Sequence, residues 1–121
     1  MQFGEPNPQQ NTNPSSWDLV INDLTNLNDI KPESFYAGLI FICAELIRVY
    51  EYDNGNAITE VEAIDTIKKL AKQRDDFGAA KYGTRLQPFN GRNAIKDCIE
   101  EALDLLVYYR TDMEERKYAT S

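Results

Sequence analysis

The sequence predicts an all-α protein, about four helices in a bundle that homo-oligomerisation completes. Apolar residues recur at steps of three and four in separate stretches along the chain. No stretch shows a convincing strand alternation, and turn-forming residues punctuate the intervals. The second and fourth stretches carry more apolar surface than one small bundle covers. That excess predicts a homodimer or a higher homo-oligomer, with helices pairing across a two-fold axis.

Residues 1–14, MQFGEPNPQQNTNP, are rich in Pro, Asn and Gln and have little to bury. They are expected to form a disordered or extended arm. A single helical domain over 15–117 and a short tail over 118–121 follow. Ser15 and Ser16 offer an N-cap for a short helix over about residues 17–27, which buries Trp17, Val20, Ile21 and Leu24. Pro32 suits the first turn of the next helix. From Phe35 to Tyr50 the chain reads FYAGLIFICAELIRVY, apolar nearly all round, as in a helix covered on most sides. Asp53-Asn54-Gly55-Asn56 ends it as a turn.

Thr59 and Glu62 have the spacing of a capping box. They open a third helix with Val61, Ile64, Ile67, Leu70 and Ala71 as its apolar stripe, running to about Gln73 or Asp76. The last helix is expected from about Asn93 to Arg116. Ile95, Cys98, Ile99, Ala102, Leu105, Leu106, Tyr109 and Met113 hold helical spacing along it.

Bulk properties exclude several function classes. The 121 residues suffice for one core. A net charge of −7 argues against non-specific binding to a nucleic-acid polymer, whose phosphates would be repelled. The absence of histidine excludes a histidine general base and a histidine-ligated zinc. Cys43 and Cys98 show no ligand-type spacing and fall in apolar patterns, so both are expected to be buried, reduced thiols. The apolar run from Phe35 to Ile47 is shorter than the roughly 20 residues a membrane span needs, and no secretory signal is visible. The expected location is the cytoplasm.

Three features carry candidate chemistry. Asp97, Glu101, Asp104 and Tyr108 follow one another at steps of four, three and four, which places them on one helical face. Like charges at that spacing repel, and a divalent cation such as magnesium would relieve them while bridging to substrate phosphates. A solvated acidic face is the plainer alternative. Glu45 is the one charged side chain between Phe35 and Ile47. It is either a metal ligand or the partner of Arg48, three residues on. Third, the stretch KYGTRLQPFNGR, residues 81–92, holds Lys81, Arg85 and Arg92 beside Tyr82 and the Asn90-Gly91 turn pair. A turn placed before a helix aims N–H groups at an anion. The cations would grip phosphate, and Tyr82 or Phe89 would stack on a base. The alternative is a connection whose cations neutralise neighbouring acids.

The run KYG-x-x-L-Q-x-x-NGR followed by D-x-x-EEALDLLVYYR resembles small bacteriophage and prophage proteins related to the MazG-like, all-α nucleoside triphosphate pyrophosphohydrolases. The resemblance covers about residues 73–116. It implies an all-α, oligomeric fold, magnesium held by acidic side chains, and hydrolysis of nucleoside triphosphates to monophosphate and pyrophosphate. Glu101 and Asp104 match the family's late E-x-x-D pair. No earlier E-x-x-E pair lies upstream; the candidates there are Glu45, or Glu62 with Asp65. The expected activity is therefore a magnesium-dependent nucleotide pyrophosphohydrolase. Glu101, Asp104 and Glu45 would be catalytic, and Glu62 would join them as metal ligands. Lys81, Tyr82, Arg85, Asn90, Arg92 and Arg110 would contact substrate. The alternatives are a non-catalytic protein that sequesters a signalling nucleotide, and a helical interaction module.

Overall fold

The computed structural model describes residues 6–119. The elements are α1 (Ser16–Thr25), a 3-10 turn (Leu27–Asp29), α2 (Phe35–Asp53), α3 (Glu60–Tyr82) and α4 (Ala94–Ala119). No strand occurs among the described residues, so the all-α class is correct. The chain divides into two compact units: Gln9–Asn90, which carries α1 to α3, and Met1–Pro8 with Gly91–Ser121, which carries α4. The first five residues of the expected arm and the last two of the expected tail lie outside the described residues.

In the larger unit, α3 packs against both α1 and α2. Its core is Leu24 from α1, Ala44 from α2, and Ala63 and Ile64 from α3, with Val20, Ile40, Ile47, Ile58 and Ile67 packed around them. The two fully covered alanines, Ala44 and Ala63, let helix backbones approach closely. Burying the Leu24 side chain contributes about 1.5–3 kcal/mol.

Caps explain the helix starts. The Ser15 hydroxyl accepts from Trp17 N, Ser34 accepts from Ala37 N, and Thr59 with Glu62 forms the expected capping box. Pro32 lies in the turn before α2 rather than in the helix, because Ser34 takes the cap position.

Two expectations shift. The third helix runs past Asp76 to Tyr82, and Gly83 stops it with a left-handed φ of 75°. Ala79, Ala80 and Lys81 favour helix enough to outweigh Gly78, a cost of about 1 kcal/mol. Lys81 and Tyr82 are therefore helical residues, not loop residues. Val61 and Leu70 are exposed, whereas Ile64 and Ala71 are buried. At 100° per residue, Val61 stands about 60° and Leu70 about 120° around the helix from Ile64.

The cysteines also differ from expectation: both are free and exposed. Cys43 is one residue along α2 from buried Ala44, hence about 100° around the helix. Desolvation still raises its pKa. Among the described residues no helix is long and apolar enough to cross a membrane.

Candidate functional site

The candidate residues fall on both units, and each unit has its own chemistry. In the larger unit, Glu45 is committed to its neighbour: Arg48 Nη1 donates to Glu45 Oε1 at 3.1 Å. Arg48 Nε also donates to Ile58 O at 3.2 Å, so the pair helps fix the α2–α3 connection. Glu62 is committed to the capping box, where its Oε1 accepts from Thr59 N at 3.1 Å and from the Thr59 hydroxyl at 3.0 Å. Glu45 therefore makes the ion pair that the sequence allows, and Glu62 makes the cap.

Arg85 meets two acids on the last turns of α3. Its Nη1 is 2.8 Å from Asp75 Oδ2 and 3.1 Å from Asp76 Oδ1. The hydrogen bond from Arg85, chiefly, and Lys72 hold the Asp76 carboxyl below the ordinary carboxylate range. Asp76, then Asp75, in turn hold Arg85 firmly charged. Lys81 and Tyr82 are both exposed, and the Lys81 ammonium sits over the Tyr82 ring, 5.2 Å from its centroid. Asn90 is buried, and its carbonyl accepts from Gln9 N at 2.8 Å.

Asp75 is a residue that sequence reasoning missed. It is only 1% exposed, the largest fully buried side chain among the described residues. The Ser15 hydroxyl donates to its Oδ1 at 2.8 Å. Its Oδ2 has the Arg85 ion-pair contact but no aligned hydrogen bond. The signal was present: Ile64, Ala71 and Asp75 lie within about 40° of one another on a 3.6-residue helix. A carboxylate on the most buried line of α3 needs compensating partners, and the chain supplies them from Ser15, where the arm meets α1, and from Arg85 in the loop.

Those two segments are joined to each other. Asn11 Nδ2 donates to Pro88 O at 2.9 Å and to Phe89 O at 3.1 Å. Gln87 Nε2 donates to Asn11 O at 2.8 Å and to Asn13 O at 2.6 Å. Of the arm expected to be disordered or extended, residues 9–14 carry neither helix nor strand, and Gln9, Asn11 and Asn13 are hydrogen-bonded to the loop. Phe89 has a left-handed φ of 58°, a strained conformation costing on the order of 1 kcal/mol that Asn11 helps to hold.

In the second unit, Arg92 grips a carboxylate in two-pronged fashion. Its Nε is 3.1 Å from Asp97 Oδ2 and its Nη2 is 2.8 Å from Asp97 Oδ1. Its Nη1 donates to Pro6 O at 2.8 Å. This pairing holds the Asp97 carboxyl below its ordinary pKa. The first N–H groups of α4 are also engaged. Asn93 Oδ1 accepts from Ile95 N at 3.1 Å and from Lys96 N at 3.3 Å, in the manner of an N-cap. The geometry expected to receive phosphate is thus used by the chain's own Asn93 and Asp97.

Further along α4, Glu101, Asp104 and Tyr108 are exposed, and neither acid is in an ion pair among the described residues. Arg110 pairs with Glu114 at 3.0 Å in an exposed contact. No group of three or more potential metal ligands comes together among the described residues. Glu101 and Asp104 stand three residues apart on α4; magnesium is commonly held by one or two carboxylates together with water and substrate phosphates. No protein-family model, no curated protein and no solved structure matches the chain.

Proposed function

We propose that the protein is a magnesium-dependent hydrolase of nucleoside triphosphates or related nucleotides, with Glu101 and Asp104 as the metal ligands. One observation carries this reading. Glu101 and Asp104 stand about one turn apart on an exposed stretch of α4 without a neutralising cation among the described residues, while Asp97, Glu45 and Glu62 each have a partner. The pair also matches the E-x-x-D of the phage and prophage pyrophosphohydrolases that the sequence resembles.

A metal held there would supply positive charge to phosphoanhydride oxygens. Arg110 is suited to exchange its exposed partner Glu114 for a phosphate, because such surface pairs contribute little stability. Tyr108 follows Asp104 by one turn and offers a ring beside them.

The test is pyrophosphate release from a panel of ribo- and deoxynucleoside triphosphates with magnesium, comparing wild type with Glu101→Gln. Turnover in the wild type that is lost in the variant supports the hydrolase. Wild-type chain that releases no pyrophosphate from any of them sinks it.

A second reading, a nucleotide binder without catalysis, is favoured by Lys81 and Tyr82. They present a cation beside a ring on one exposed helix end, suited to a phosphate and a base. Calorimetry with nucleotides on Lys81→Ala and Tyr82→Ala separates it, since the hydrolase reading on α4 requires Glu101 and this one does not. A third reading, self-association, rests on exposed apolar side chains, with Phe35 83% and Leu106 67% accessible. A second copy of the chain would cover them, and light scattering at micromolar concentration that finds only monomer removes it.

A further inference from the structure

We propose that residues 9–16 and 84–90 form one strap, which opens and closes as a single unit about the buried Asp75. Between Gly83 and Asn90, and between Gln9 and Ser15, the chain carries neither helix nor strand. The two segments satisfy each other instead. Gln9 N donates to Asn90 O at 2.8 Å, Asn11 N to Gln87 Oε1 at 3.1 Å, and Ser16 N to Leu86 O at 2.7 Å. The Asn11 and Gln87 side chains add four more bonds in both directions. Detaching one segment alone strips the other of its partners, so a local opening releases both.

Asp75 makes the closure mutual. One side of its carboxylate takes the hydroxyl of Ser15, at the end of the arm, and the other faces Arg85, in the loop. Closing the strap buries this carboxylate. With either partner missing it is buried only half compensated, and such a charge is strongly disfavoured. The arm and the loop therefore close together or not at all. The closed strap keeps the Arg85 guanidinium on Asp75 and Asp76. The open strap releases it to solvent, where it can meet an anion. Phe89 relaxes from its positive φ in the same step, because Asn11 no longer holds its carbonyl.

The test perturbs the arm and reads both segments in the full-length chain. Asn11→Ala removes the side chain that holds Pro88 O and Phe89 O and leaves the loop sequence intact. Arm opening is read as amide exchange over residues 9–16. Loop opening is read as trypsin cleavage after Arg85, under conditions where cleavage follows the open population. Loss of two hydrogen bonds is expected to raise both readouts by the same factor, roughly tenfold. Cleavage after Lys68, Lys69 and Lys72, in the middle of α3, stays unchanged.

A rise in one readout without the other overturns the strap. So does an Asn11→Ala chain in which neither readout moves. A parallel rise at the α3 lysines overturns it too, because that is global opening rather than release of a strap.

Discussion

Ser15→Ala tests how much the buried carboxylate depends on its hydroxyl donor. Ser15 has two jobs: it accepts from Trp17 N as the N-cap of α1, and it donates to Asp75 Oδ1 at 2.8 Å. Loss of an N-cap side chain costs roughly 0.5–2 kcal/mol. Removing a donor from a buried acceptor costs about 1–3 kcal/mol more. The serine is 5% exposed and the aspartate 1%, so water does not readily replace the lost bond. The two terms share one atom and do not simply add, which places the expected loss at about 2–4 kcal/mol.

Ser34→Ala is the internal control. Ser34 caps α2 by accepting from Ala37 N at 3.1 Å, and its hydroxyl is not bound to a buried carboxylate. That variant is expected to lose only the cap, about 1 kcal/mol. Urea unfolding followed by circular dichroism and by Trp17 fluorescence gives both values, with the slope checked for constancy. Equal losses for Ser15→Ala and Ser34→Ala would refute the claim that the Asp75 hydrogen bond matters to stability. Ser15→Thr, which keeps a hydroxyl, is expected to recover most of the difference.

Other outcomes follow from the same geometry. Tyr36 donates to Asp23 Oδ2 at 2.8 Å, and burial, then that bond, pushes its pKa up to about 12. A raised folded pKa favours the protonated phenol. Its contribution is complete below the ordinary value of 10.0 and disappears as pH rises towards 12. Alkaline titration of stability should show this loss in the wild type and not in Tyr36→Phe. Asp97 behaves oppositely: Arg92 lowers its pKa, so its contribution is present above the ordinary 3.8 and is lost as pH falls through the depressed value. An Asp97→Asn chain should lose that part of the acid dependence. If the proposed hydrolysis is observed, Glu62→Gln should leave it unchanged and cost about 1 kcal/mol or less, because the carboxylate serves the α3 cap; loss of turnover in that variant would assign Glu62 as a ligand.

Local physics made a good part of this protein legible in its sequence. A helical period, a serine or threonine ahead of an apolar run, and a glycine after one are set by residues within a turn or two of each other. The all-α class, the Thr59–Glu62 box and the α2 boundary at Asp53–Asn54 could therefore be read directly. So could the acidic stripe of α4, whose members are spaced by helix geometry alone. The Glu45–Arg48 pair could be named from its spacing, but its 3.1 Å distance could not.

Tertiary structure decided which polar groups are already in use. Arg85 has acids of α3 beside it, Arg92 has Asp97, and Asn90 is tied to Gln9; sequence spacing shows that these cations and amides exist but not what they meet. The arm is the sharpest case. Its Asn, Gln and Pro content describes a chain with nothing to bury. Its order comes from hydrogen bonds to residues 76 and 77 positions away, which no local pattern records. Asp75 stands between the two regimes. Its angle on α3 is a local property, and its burial is not, because the serine and arginine that compensate it arrive from opposite ends of the larger unit.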